Sequence, residues 1–281
     1  MRSHYPGSVI SRSFHCLLAA AMCFAAALPI EVHADATGPA AQGEQAAVLV
    51  YSRTAGWRHD SIDDAWAAIA TIAQERGWSV TFTEDESWFD AERLAQFDTV
   101  VFASSSGDTL SPERRTAFRT FVESGGGFVG LHSAGDGTMD WEWYAQELIG
   151  ARFIGHPLNP GVRSGTILVE NRDHPATRHL PARWYRVDEW YSFDRSVRDR
   201  FEVLATLDET SYRPGEWHDG VQLEMGADHP LIWNRCVGDG RAFYSALGHT
   251  AESYREKELL EVIEGGISWS LGEGACRQGA E

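Results

Sequence analysis

Apolar runs alternate with helically spaced apolar residues through the first half of the chain. Ala46–Tyr51 is a continuous apolar run of the kind that forms a parallel strand buried on both faces. From Ser61 to Arg76, apolar residues at Ile62, Ala65, Trp66, Ile69, Ile72 and Ala73 keep a helical spacing that stops at Gly77. Trp78–Thr83 predicts a second strand, Ala91–Gln96 a short helix and Thr99–Ala103 a third buried strand. Ser111-Pro112-Glu113 opens the next helix with a capping residue, Pro at its first position and an acid in its first turn. That helix feeds an apolar strand rising from Gly125-Gly126-Gly127 to His132. Strict alternation of strand and helix predicts right-handed crossovers and an α/β three-layer sandwich with a mostly parallel central sheet.

Beyond Asp140 the pattern changes. Trp141–Ile149 predicts a short helix, and Thr166–Glu170, Glu202–Leu207, Leu231–Cys236 and Arg241–Ala246 predict strands. Gly238-Asp239-Gly240 marks a hairpin between the last two, and Lys257–Leu271 a closing helix. No internal repeat interrupts this single elaborated domain.

The N-terminus reads as a secretory leader. Arg2 and Arg12 precede a short apolar run, Phe14–Leu28, and small residues up to Ala34 suit a cut before Asp35. The run is shorter than the ~20 residues a spanning helix needs. The expected organisation is a signal peptide over 1–34, a linker over 35–45, a domain over 46–272 and a tail over 273–281. The expected location is periplasmic or secreted, with no membrane insertion after signal removal. Two cysteines then remain, Cys236 and Cys276, and an oxidising compartment would permit a disulfide between them. The formal net charge is −17. A surface this acidic repels nucleic acid and anionic lipid and suits a neutral ligand.

Candidate chemistry centres on histidines at apparent element ends. His132 follows an apolar strand, just where ligands collect in open α/β sheets. The geometry is that of a nucleophile elbow with an imidazole in the reactive position. His249 ends the run from Ala242 to Leu247, with Glu252 three residues on as a carboxylate that could set its tautomer. His59 with Arg58 follows the first strand, and His156 and His229 each precede a proline that holds them in extended turns. Convergent imidazoles serve proton transfer, sugar hydroxyls or a divalent metal, although no pair has compact zinc-motif spacing. Asp188-Glu189-Trp190-Tyr191 combines two acids with two aromatics, a sugar-facing set, and Asp228 adjoins His229. By contrast, Asp173-His174-Pro175 reads as a structural turn, and His179 and His218 lie in polar loops without an assigned role.

Several ordered blocks carry a resemblance to a known family. They are Ser52-Arg53-Thr54-Ala55-Gly56-Trp57-Arg58-His59, Gly126–His132, Gly155-His156-Pro157, Asp188–Tyr191, Met225–Pro230 and Ala246–Thr250. With them the chain resembles ThuA-like (trehalose utilisation) domains from about Ala46 to Leu271. The resemblance implies an architecture similar to class I glutamine amidotransferases. Their nucleophilic cysteine would align with His132 and their late His-x-Glu would fall near His249 and Glu252, so glutamine thioester chemistry is not available here. What the resemblance implies instead is sugar catabolism alongside dehydrogenases that make 3-keto sugars. The resulting expectation is a protein acting on trehalose-like or 3-keto disaccharides. His132, His249 and Glu252 would be its catalytic residues. Arg58, His59, His156, Asp188, Glu189, Trp190, Asp228 and His229 would bind substrate, with Glu189 and His229 holding the sugar or a metal. Two alternatives stay open: a non-catalytic carbohydrate-binding module, and a metal-dependent hydrolase or lyase using the same histidines.

Overall fold

The computed structural model describes residues 45–136 and 140–276. The leader (1–34), most of the linker and the last five tail residues lie outside the described residues. The apolar runs of the first half form the parallel strands β1 (Ala47–Tyr51), β2 (Ser79–Thr83), β3 (Thr99–Ala103) and β4 (Gly127–Leu131). Later come the short β5 (Phe153–Gly155), then β6 (Val162–Val169), β7 (Arg183–Glu189), the short β8 (Ser192–Phe193), β9 (Glu202–Asp208), β10 (Pro230–Val237) and β11 (Gly240–Ser245). Nine of these join one sheet in the order β2-β1-β3-β4-β11-β10-β9-β6-β7, while β5 and β8 pair separately.

Pairing is parallel from β2 to β11 and antiparallel from there to β7. Only β10 and β6 therefore run against the rest, and the central sheet is mostly parallel, as expected. The sequence pattern missed β7. Along this edge strand Trp184, Arg186 and Asp188 are buried while Tyr185 and Val187 face solvent. Charged groups inside and apolar groups outside invert the usual strand signature.

Helices cover both faces. On one, α1 (Ile62–Arg76) and α4 (Lys257–Ser270) pack against each other and on the sheet; α1 ends at Gly77, whose φ of 70° favours glycine. On the other lie α2 (Ala91–Leu94), α3 (Pro112–Glu123) and the helical segment Tyr144–Ile149. There Phe102 stacks on Phe118 and Tyr144, with Phe89 and Phe128 edge-on, a fully buried aromatic layer. Ser111 makes no side-chain cap for α3; its N–H instead donates to Glu86, and Pro112 supplies the start signal. Cys236 of β10 is disulfide-bonded to Cys276, which ties the tail to the sheet. Among the described residues no helix is long and apolar enough to cross a membrane.

Candidate active site

β4 delivers His132 by a sharp turn. The residue adopts a left-handed φ of 49°, uncommon for a side chain with a Cβ. Two hydroxyls hold the turn: Tyr244 donates to the His132 carbonyl at 2.7 Å and Tyr144 to that of Ala134 at 2.8 Å. Gly135 makes this possible, because a Cβ there would fall 2.1 Å from the Tyr244 hydroxyl.

The ring of His132 is fully buried and its tautomer is set by the backbone. Nδ1 lies 3.0 Å from the Ala246 carbonyl, an obligate acceptor, so the neutral ring carries its proton on Nδ1. The lone pair of Nε2 is then turned toward three other groups. His59 Nε2 lies 3.1 Å away, His249 Nδ1 3.2 Å and Glu189 Oε2 3.5 Å. Glu189 Oε2 is in turn 3.1 Å from His249 Nδ1. His59, His132, Glu189 and His249 thus bring four potential ligand atoms within 4.8 Å of one another, a set able to hold a metal ion. They come from the loop after β1, the turn after β4, the end of β7 and the loop after β11. All four strands point the same way, so their carboxyl ends share one rim.

Electrostatics follow from this crowding. Burial first, and then the charges of His132 and His249, push His59 down to about 3, so its ring is neutral. Burial alone would raise the Glu189 carboxyl, but the rings of His132 and His249, which in their protonated forms bond it and attract its charge, outweigh that and hold Glu189 well below the usual range. For His249 burial opposes the charged form, yet the bond to Glu189 prevails and the net shift is upward. His156 shifts downward, chiefly through burial. Its Nδ1 lies 3.0 Å from the Pro157 carbonyl and 3.2 Å from Glu189 Oε1, so Nδ1 carries the proton and Nε2 keeps the lone pair.

The cluster forms the floor of a cavity of about 480 Å³. His59, Glu189, His249 and His156 open into it, with His132 behind them. Its walls are aromatic: Trp57, Phe153, Tyr191 and Trp217, with His218 and Asp136 at the side. Trp57 is 73% exposed, an unusual position for indole, whereas Tyr191 is buried and packs 4.5 Å from the His132 ring. Trp217 packs 4.3 Å from the His156 ring. Among the described residues no Lys or Arg lines the cavity. Two clefts of similar volume between helices contain no histidine.

The structure corrects several sequence expectations. Glu252 is exposed and away from the cluster; the carboxylate that meets His249 is Glu189. Arg58 does not line the cavity but pairs with Glu84 at 2.8 Å. Asp188 is fully buried and binds Arg186 and backbone N–H groups rather than sugar. Trp190 is also fully buried, against Gly165 and Tyr212, so it cannot stack on a ligand. Asp228 pairs with Arg198 at the surface. His229 is fully buried between Glu209 (2.7 Å) and the Tyr191 carbonyl (2.8 Å), a structural link with no face to the cavity. Sequence reasoning missed the cavity positions of Trp57, Phe153, Trp217 and His218. The one signal that could have pointed to aromatic walls is the high tryptophan content, eleven in the chain.

Comparison with known proteins agrees with this fold. A family model described as "ThuA: Trehalose utilisation" matches residues 47–270. A ThuA-like protein from Bacteroides uniformis superposes with a TM-score of 0.68 at 23% identity, over 84% of this chain and 96% of that one. A ThuA-like protein from Parabacteroides merdae does so with 0.61 at 18% identity, over 84% and 93%. A cytoplasmic protein from Salmonella typhimurium shares the fold with a TM-score of 0.54 at 10% identity, over 80% and 99%. No curated protein matches the sequence.

Proposed function

The chain belongs to the ThuA (trehalose utilisation) family, which supports a role in sugar metabolism, and from that premise we propose that it is an exported enzyme acting on neutral 3-keto disaccharides related to trehalose. One observation carries the reading: three imidazoles and a carboxylate from four separate strand ends meet at the floor of an aromatic-walled cavity that, among the described residues, has no Lys or Arg. Aromatic faces suit the C–H surfaces of sugar rings. The lack of cationic groups favours an unphosphorylated sugar.

A ketone at C3 acidifies the C–H bond beside it, and polarising the carbonyl oxygen lowers the barrier further. His156, with Nδ1–H engaged by Glu189 and Pro157, takes the C2 proton on Nε2. The electron pair left at C2 forms a C1=C2 double bond as the C1–O glycosidic bond breaks, and the departing oxygen takes up the proton that His156 has collected, which returns the ring to its neutral form. The second sugar leaves intact. This revises the sequence expectation that His132 and His249 exchange protons: His132 is buried behind its partners, and its proton is bound to Ala246. A purely carbohydrate-binding module would use the aromatic walls but has no use for imidazoles gathered round a buried carboxylate.

Export rests on the leader-like N-terminus and on the Cys236–Cys276 bond, since disulfides persist in oxidising compartments. A sugar dehydrogenase would supply the ketone. The test is proton NMR of the protein from Asp35 onward with trehalose and 3-keto-trehalose, beside His132→Ala. Conversion of the keto sugar by the parent protein alone is the expected result. No conversion, or equal conversion by the variant, overturns the proposal.

A further inference from the structure

We propose that His59, His132, His249 and Glu189 bind one divalent first-row transition-metal ion, and that this ion is the electrophile of the cavity. The inference rests on reading the cavity as the reaction site. The first argument is distance. Metal bonds of about 2.0–2.2 Å place neighbouring ligand atoms about 3.0–3.4 Å apart. The four close separations in the cluster are 3.1, 3.1, 3.2 and 3.5 Å. Nitrogen pairs at 3.1 and 3.2 Å share the single lone pair of His132 Nε2, which one hydrogen bond would already satisfy.

The second argument is orientation. The Ala246 carbonyl fixes the proton of His132 on Nδ1 and turns the basic nitrogen inward, the outer-shell arrangement that metal-binding histidines use. Glu189 is treated in the same way: His156 occupies Oε1 and leaves Oε2 facing the imidazoles. Asp188 accepts the N–H groups of Glu189 and His249, so two ligands from distant strands are held by one carboxylate.

The third argument is ligand chemistry. Three imidazoles and one carboxylate suit zinc, manganese, iron, cobalt or nickel, whereas Mg²⁺ and Ca²⁺ prefer oxygen shells. The widest separation, up to 4.8 Å, exceeds the edge of a tetrahedron with such bonds (about 3.4 Å). A shell of five or six ligands fits better, and its remaining positions face the cavity. A ketone oxygen and the hydroxyl beside it are a chelating pair of the right kind to fill them.

Chelator-stripped protein should be titrated calorimetrically with Zn²⁺, Mn²⁺ and Co²⁺, with Mg²⁺ and Ca²⁺ in parallel. The visible spectrum of the Co²⁺ form reports imidazole ligation directly. One site per chain, micromolar or tighter, is expected. His59→Ala and Glu189→Gln should each weaken it by about 10–100-fold or more, and His179→Ala, a surface imidazole, should leave it unchanged. Thermal melting checks each variant; Glu189→Gln keeps the side-chain volume and decides the matter if His59→Ala does not fold. Absence of binding, affinity untouched in a folded cluster variant, or equal affinity for Mg²⁺ overturns the inference. Binding is read without sugar. Keto-sugar turnover by protein that binds no metal would therefore sink this inference alone, and metal binding without turnover would sink the proposed function alone.

Discussion

Asp188 holds the backbone of His249: its carboxylate accepts the His249 N–H at 3.1 Å and that of Gly248 at 2.9 Å. The same carboxylate pairs with Arg186 at 2.8 Å, and both side chains are buried. Removing it leaves three N–H groups without their acceptor and takes the nearest carboxylate from the buried Arg186, which keeps only Ser253 and the more distant Glu256. Asp188→Ala should cost about 3–5 kcal/mol of stability, seen in denaturant melts. Asp188→Asn keeps the volume but turns an amide N–H₂ toward donors. It should fold and lower kcat more than it raises KM, a split that separates loss of positioning from loss of binding.

His156→Ala should lower kcat on the keto sugar by about 10²–10⁴-fold if the ring is the proton acceptor. Because His156 lies at the cavity edge rather than in the core, melting should change little. Retention of more than a tenth of the parent rate would remove it from the proton-transfer role.

Trp57 is exposed and supports no core packing, so Trp57→Ala should leave stability within about 0.5 kcal/mol. KM for a disaccharide should rise by about 5–10-fold through loss of a stacking face, with kcat nearly unchanged. Unaltered KM would mean that the indole does not touch sugar.

Glu209 sets an acid limit on stability. Burial favours its protonated form, but hydrogen bonds from His229 and from the N–H groups of Met225 and Gly226 hold its pKa below the ordinary 4.5. A depressed folded value contributes stability above the unfolded pKa and loses it as pH falls through the folded one. Tm should therefore drop between about pH 5 and pH 3, and less steeply in Glu209→Gln. Parallel curves for the two proteins would contradict this.

The disulfide closes a loop with a sequence separation of 40. Loop-closure entropy for that length corresponds to about 4 kcal/mol. Cys236→Ser should lower Tm accordingly, and reductant should have no further effect on the variant.

Legibility in the sequence followed burial. β1, β3 and β4 are apolar on both faces, so their runs are unmistakable, and His132 and His249 could be placed at strand ends from them. β7 could not be seen. It buries Arg186 and Asp188, satisfied by a pairing that no local pattern reveals, and exposes Tyr185 and Val187. Glu189 was named as a site residue for its aromatic neighbours, yet it works as the last residue of that strand. The histidine–proline contexts of His156 and His229 look alike. One opens on the cavity and the other is sealed between Glu209 and Tyr191, partners distant in sequence that no local pattern reveals.

The last strand among the described residues, β11, sits in the middle of the sheet, between β4 and β10. It joins the half of the protein made first to the half made later, and the loop that follows it carries His249. A growing chain on the ribosome can pair β1 to β4 early, but it cannot complete the sheet or bring His249 to His59 and His132 until this final strand emerges. Assembly of the reactive centre is thus postponed until β11 has been made: β1, β3 and β4 can already hold His59 beside His132, but Glu189 joins them only through the strands that β11 connects.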